Sequence, residues 1–321
     1  MSLISPKSHE HMYPPPTEVE RALRFSYRRR RSFTPYAFML PAITALVLVG
    51  VVPFVYAVYI SLRSLNLIDP TSDRFVGLQN YVNLAQDGRA WHAVLITVLY
   101  SGISVCGELV LGLAVSLLLN RSFAGRAIVR TLLLIPIVMT PVVAGLMWRI
   151  FYDPNAGIIN YVLGQLGLGS RHDWLGNVNN ALGALIVTDI WQWTPFIILI
   201  LMAGLESLPG EPFEAARMDG ASHWQMFRFV TLPLLRATIV VAVLLRTLDS
   251  LKTFDTIYVM TQGGPALATE TANMYAYTQG FTYFNVSYAT AFALTFTIVL
   301  SVVITFLVQR FVFKRQESAE A

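Results

Sequence analysis

Six stretches of this chain are long and apolar enough to cross a bilayer: residues 36–61, 92–119, 131–152, 181–205, 233–260 and 287–311. A hydrocarbon layer about 30 Å thick takes roughly 20 mostly apolar residues in a helix. The sequence therefore predicts an all-α integral membrane protein with six transmembrane helices. Composition agrees: 13% of the residues are charged and 55% hydrophobic, against about 25% charged in an ordinary soluble domain. The first stretch is too long for a signal peptide and is not followed by a small-residue cleavage site. A single cysteine, Cys106, excludes an intrachain disulfide and reads as a small packing residue.

The arginines orient these spans. Arg21, Arg24 and the run Arg28, Arg29, Arg30, Arg31 precede the first. Arg121, Arg126 and Arg130 lie between the second and third, Arg217 and Arg228 between the fourth and fifth, and Lys314 and Arg315 after the sixth. The alternate loops mix signs or lack cations. The positive-inside rule then puts both termini in the cytoplasm, which agrees with an even number of spans. The polar tail 1–34, with Pro14, Pro15 and Pro16, reads as partly disordered. Its basic run reads as a topology anchor on membrane lipid rather than a nucleic-acid site.

One stretch between the fourth and fifth spans is not apolar: EAARMDGASHWQMFRFVTLPLL, residues 214–235. Pro209 and Pro212 break from the preceding span, a first short helix carries Glu214, Ala215 and Ala216, and Gly220 permits a left-handed turn. A second amphipathic piece with Trp224, Phe227 and Phe229 leads to Leu232 and Pro233. The unit is helix, turn, helix on the cytoplasmic side; from the residues alone a surface-lying connector between spans is the plainer reading.

Glu214-Ala215-Ala216, Asp219-Gly220-Ala221 and Leu232-Pro233 resemble the EAA loop of permease subunits of ATP-binding-cassette importers. So do WQWTPFIILILMAGLESLP, residues 191–209, and FDTIYVMTQGGP, residues 254–265. The pattern is similar to the sugar-permease branch that includes maltose, trehalose and glycerol-3-phosphate importers, and it runs from about residue 36 to the C-terminus. The resemblance implies the type I importer fold. It divides the chain into the tail 1–34, a six-helix permease domain 35–313 with its coupling loop at about 206–232, and the tail 314–321. It implies that the loop docks on an ATPase subunit through Glu214, Ala215, Ala216, Asp219 and Gly220. It also implies the partners: two ATPase subunits that bind ATP and Mg, a second homologous permease subunit, an extracytoplasmic solute-binding protein and a carbohydrate. The chain itself has no G-x-x-x-x-G-K-[ST] stretch and so no P-loop of its own, and no cofactor is expected in it.

Ionisable residues at membrane depth are costly and mark a cavity or one another. In the fifth span Arg246, Asp249, Ser250 and Thr253 fall on one helical face, and Lys252 and Asp255 are spaced to pair. Structural ion pairs and a hydrophilic path both fit this face. In the fourth span Asp189, Gln192, Trp193 and Phe196 share a face. Aromatic rings stack on sugar rings, and carboxylates and amides take hydroxyls. The resemblance places substrate contacts at these eight positions, with Arg246 and Asp249 standing where the maltose permease has neutral side chains. Glu108 in the second span reads as a packing residue, and Pro136 and Pro141 as kinks in the third. Residues 261–285, rich in aromatics, form either a docking surface for a binding protein or a plain interfacial loop. No histidine pair has metal-ligand spacing, and no hydrolase motif is present. A proton-coupled secondary transporter using Asp189, Asp249 or Asp255 remains an alternative to the importer subunit, as does a membrane-embedded enzyme.

Overall fold

The computed structural model describes residues 38–69, 71, 73–121, 123–169 and 171–311. The expectations for the tail 1–34 with its Arg28–Arg31 run, and for Lys314 and Arg315, lie outside the described residues. The chain divides into two compact units, residues 1–57 and 58–321. The described part of the first is helix α1, Phe38–Ser61, whose last turn belongs to the second unit. A wide turn at Val47–Val51, in which the N–H of Val52 reaches back to Val47 O, precedes Pro53. Proline has no N–H and crowds the carbonyl four residues back, here that of Val49, so the helix widens at that carbonyl.

In the second unit α2 is Gln79–Gln86 and α3 is Gly88–Leu119. The span starts earlier than hydropathy indicates because the Asp87 carboxylate caps it, accepting from the N–H groups of Arg89 and Ala90. Helix α8, Val178–Glu206, lies against α3 at very close range. A Cβ at Gly107 would stand 2.5 Å from Ile190 Cδ1, and one at Gly112 would stand 2.6 Å from Ile197 Cγ2. Small residues allow backbones to approach in this way, and dispersion then holds the helices where lipid gives no hydrophobic drive. Gly112→Val is expected to wedge the pair apart at a cost of about 1–3 kcal/mol, read as a lower melting temperature of the purified protein in detergent.

The third span departs from expectation. Instead of one helix over 131–152 there are three pieces: α4 Arg126–Leu133, α5 Ile135–Val138 and α6 Pro141–Phe151. Residues 126–138 and 141–151 meet at 98°. The residue before a proline is pushed out of the helical region, and Met139 (ψ 138°) and Thr140 (ψ 145°) are extended ahead of Pro141. At 1.5 Å per residue α6 is about 16 Å long, roughly half a hydrocarbon core. The Met139 carbonyl exposed by the break accepts a hydrogen bond from Gln192 Nε2 at 3.2 Å.

Helix α7 is Ile158–Gln165, α9 is Glu211–Met218, and α10 runs from His223 to Ser250. Its wide turn, Phe227–Thr231, again holds the carbonyl four residues before a proline, that of Phe229 before Pro233. The fifth span breaks after Ser250 and restarts as α11, Asp255–Met260. Asn273 Nδ2 donates to the carbonyls of Leu251 and Thr253 at the break, 3.1 and 3.5 Å away. The break cancels the expected Lys252–Asp255 pair, since three-residue spacing brings side chains together only on a continuous helix. Both side chains are exposed, and no ion pair among the described residues joins them. Helices α12, Ala272–Tyr277, and α13, Val286–Phe311, complete the fold. Tyr100, Leu185, Ile257 and Met260 centre one buried cluster; Ile197, Leu201, Leu235 and Ala242 centre another along α8 and α10.

Candidate functional site

Helix α3 carries a buried polar stripe, Thr97, Tyr100, Ser101, Ser104 and Glu108, at the spacing of one helical face. Helix α8 brings Asp189, Gln192, Trp193 and Phe196, and α10 brings Arg246, Asp249 and Ser250. They meet at one guanidinium. Arg246 Nε donates to Glu108 Oε2 at 2.7 Å, Nη2 to Asp189 Oδ2 at 2.6 Å, and Nη1 to Asp249 Oδ2 at 3.4 Å. Its Cζ lies 5.0 Å from the centroid of the Trp193 ring. The Arg246 and Glu108 side chains are 0% exposed and Asp189 is 2% exposed, while Asp249 is 51% exposed. A planar fork with five donors fits such a set, where a lysine would not.

Of the eight residues expected at a solute site, the structure assembles Asp189, Trp193, Arg246 and Asp249 around one charge. Phe196 packs edge-on to Trp193 at 6.4 Å. Ser250 is buried, and its hydroxyl has no hydrogen-bond partner among the described residues. Gln192 serves the break in the third span, and Thr253 lies in the turn beyond α10, half-buried. The most accessible member of the group is thus Asp249, with Trp193, Phe196 and Thr253 half-buried and Glu108, Asp189 and Arg246 buried. Glu108 is the member missed from sequence. A carboxylate in mid-span requires a counter-charge, and Arg246 is the basic residue of the polar face in the fifth span. That requirement was the available signal. Among the described residues no group of three His, Cys, Asp or Glu side chains is placed to hold a metal ion.

A second feature is the surface of α9 and the start of α10. Glu214, Ala215, Asp219 and Gly220 are exposed, with Ala216 half-buried. Gly220 has φ +77° and joins the two helices. The second begins with a capping box in which Ser222 Oγ accepts from the N–H of Gln225 and Gln225 Oε1 accepts from the N–H of Ser222. Met218 is 89% exposed, and Trp224 and Phe229 are exposed too. Three large apolar side chains are thus left exposed on this short element, more than an ordinary surface turn carries.

A third polar group ties the start of α3 to Glu270, to α12 and to the start of α13. Arg89 grips Glu270 with two hydrogen bonds of 2.8 and 2.7 Å. The Asp87 carboxylate accepts from the hydroxyls of Tyr275 and Tyr288 at 2.5 and 2.7 Å. Burial pushes the Asp87 carboxyl up, but the two tyrosine hydroxyls and the N–H groups of Ala90 and Arg89 outweigh it, and its pKa lies below the ordinary value. A depressed carboxylate stabilises the fold above its unfolded pKa and loses that contribution as pH falls through the lower folded value. Asp87→Asn should therefore lower stability by about 1–3 kcal/mol at neutral pH. In thermal melts the gap to the parent should close only as pH drops below the usual carboxylate range.

Residues 108–318 match the family model described as the inner membrane component of binding-protein-dependent transport systems. The chain belongs to that family. It is therefore a multi-pass inner-membrane transport component. It is 41% identical over 265 residues to a probable ABC transporter permease protein, y4oQ, of Sinorhizobium fredii, covering 82% of this chain and 85% of that one. It is 36% identical over 293 residues to the trehalose/maltose transport system permease protein MalF of Thermococcus litoralis, covering 90% and 97%. A bacterial alginate ABC transporter, solved with an alginate pentasaccharide-bound periplasmic protein, has a chain of the same fold. Its TM-score is 0.76 at 23% identity, over 89% of this chain and 97% of that one.

Proposed function

We propose that this permease forms half of the path of an ATP-driven importer for a di- or oligosaccharide such as trehalose or maltose, or a related polyol. The observation that carries the reading is the exposed α9–Gly220–α10 element, a two-helix projection with an acidic and apolar surface on a transport component that has no P-loop. The arginine distribution puts this element, and both termini, in the cytoplasm. There it docks on one of two ATPase subunits, which bind ATP and Mg and hydrolyse the nucleotide. A second, homologous permease completes the path, and an extracytoplasmic binding protein delivers the solute. Closure of the ATPases pushes through Glu214 and Gly220, and the spans rock between outward and inward openings. The names of the relatives support sugar as the solute. The engagement of Asp189 by Arg246 argues against that carboxylate as the proton carrier of a secondary transporter. Affinity purification from the native host in mild detergent, with mass spectrometry of the co-purifying chains, tests the proposal. An ATPase subunit and a second permease are expected. A chain that purifies alone and moves solute unaided would overturn it.

A further inference from the structure

The charge count around Arg246 carries the substrate class further than the family does. Three carboxylates, Glu108, Asp189 and Asp249, share one guanidinium. Two of them are buried with it and take its shorter contacts, so its charge is spent inside the protein. The third, Asp249, keeps only the 3.4 Å contact and half its surface. The turn that follows adds one exposed cation, Lys252, and the first residue of α11 one more exposed carboxylate, Asp255, which leaves the balance negative. Trp193, half-buried, holds its ring against the same guanidinium, 5.0 Å from Cζ, while Phe196 packs edge-on to Trp193 and against the Ile197–Leu201–Leu235 cluster.

We infer that this surface selects uncharged saccharides and rejects those bearing a carboxylate or sulfonate, with Asp249 as the residue that decides between them. The inference rests on the importer reading above and names the solute class of that same path. The chemistry is direct. An ionised carboxylate only accepts hydrogen bonds, and its two oxygens match two neighbouring hydroxyls of a sugar ring. An anionic sugar needs donors instead. Arg246 is shut off from it, because its side chain is fully buried and three of its five N–H groups already donate to carboxylates, and the exposed Lys252 is outnumbered by Asp249 and Asp255. Such a sugar would also meet Asp249 as a like charge in a partly desolvated place, where repulsion is strong.

The test uses the assembled permease–ATPase complex in nanodiscs, with the binding protein left out so that its own selectivity does not act. Binding of maltose and of a glucuronosyl-glucose disaccharide is measured by saturation-transfer NMR at neutral pH. The parent is expected to bind maltose at least about tenfold more tightly than the uronate. Asp249→Asn, a change at an exposed side chain, should close most of that gap while weakening maltose only a few-fold. Asp249→Lys should reverse the preference. Equal binding of the two sugars by the parent, or an unchanged ratio in Asp249→Asn, would overturn the inference and leave the importer reading intact. If the parent complex binds neither sugar, the path itself has been misplaced and both readings fall.

Discussion

Arg246→Met should leave little folded protein. Removing the guanidinium strands two carboxylates, Glu108 and Asp189, with almost no exposure. Breaking a buried ion pair from one side costs about 3–5 kcal/mol, because the remaining charge is left buried and unpaired. That is a large part of the stability of an ordinary domain. Fluorescence-detected size exclusion in detergent should show the monodisperse peak lost or its melting midpoint strongly lowered. Two companion variants separate charge from packing. Glu108→Gln removes one of the carboxylates in excess over arginine and leaves Arg246 paired with Asp189, so it should be far milder. The triple variant Glu108→Leu, Asp189→Leu, Arg246→Met replaces the whole cluster with apolar side chains and should recover folding, since such replacements are often neutral or stabilising. A destabilised Glu108→Gln beside an unaffected Arg246→Met would show that the cluster is not held by its charges.

The same cluster shows what the sequence could and could not convey. The spans were legible because a bilayer demands length and hydropathy, which are local properties. The breaks were legible only in part. Pro136 and Pro141 announce a disturbance in the third span, but the 98° bend depends on a tertiary contact, the buried Gln192 that accommodates the free Met139 carbonyl. In the fifth span no proline marks the end of α10 after Ser250. The carbonyls there are taken by Asn273, 22 and 20 residues on, and no window of local sequence contains that contact. Helical periodicity correctly grouped Asp189 with Trp193, and Arg246 with Asp249. It could not say which faced inward, because a polar stripe on one helix is the same whether it lines a path or meets a charge on its neighbour. Glu108 on α3 decides that for Arg246, and its partner lies 138 positions away.

Glu214→Arg and Gly220→Val should abolish uptake while leaving the permease folded. Glu214 is exposed, and surface substitutions of this kind usually fall within about 0.5 kcal/mol. Gly220 sits at φ +77° with open space where a Cβ would go. The penalty for valine is therefore backbone strain, roughly 1–2 kcal/mol for a side chain in the left-handed region, and more for a β-branched one. That strain is relieved by re-aiming α9 relative to α10. It would displace Glu214, Met218 and Trp224 as a set, although none of them is mutated. Both variants should run as monodisperse protein with near-parent melting midpoints. Both should lose the co-purifying ATPase subunit, and uptake in vesicles should fall below about a tenth of the parent. Gly220→Ala, without β-branching, should retain an intermediate level. The ordering Gly, Ala, Val tests whether backbone geometry at this turn transmits the coupling. If Gly220→Val transports as well as the parent, the turn is only a connector between two spans and the docking surface must be sought elsewhere on the chain.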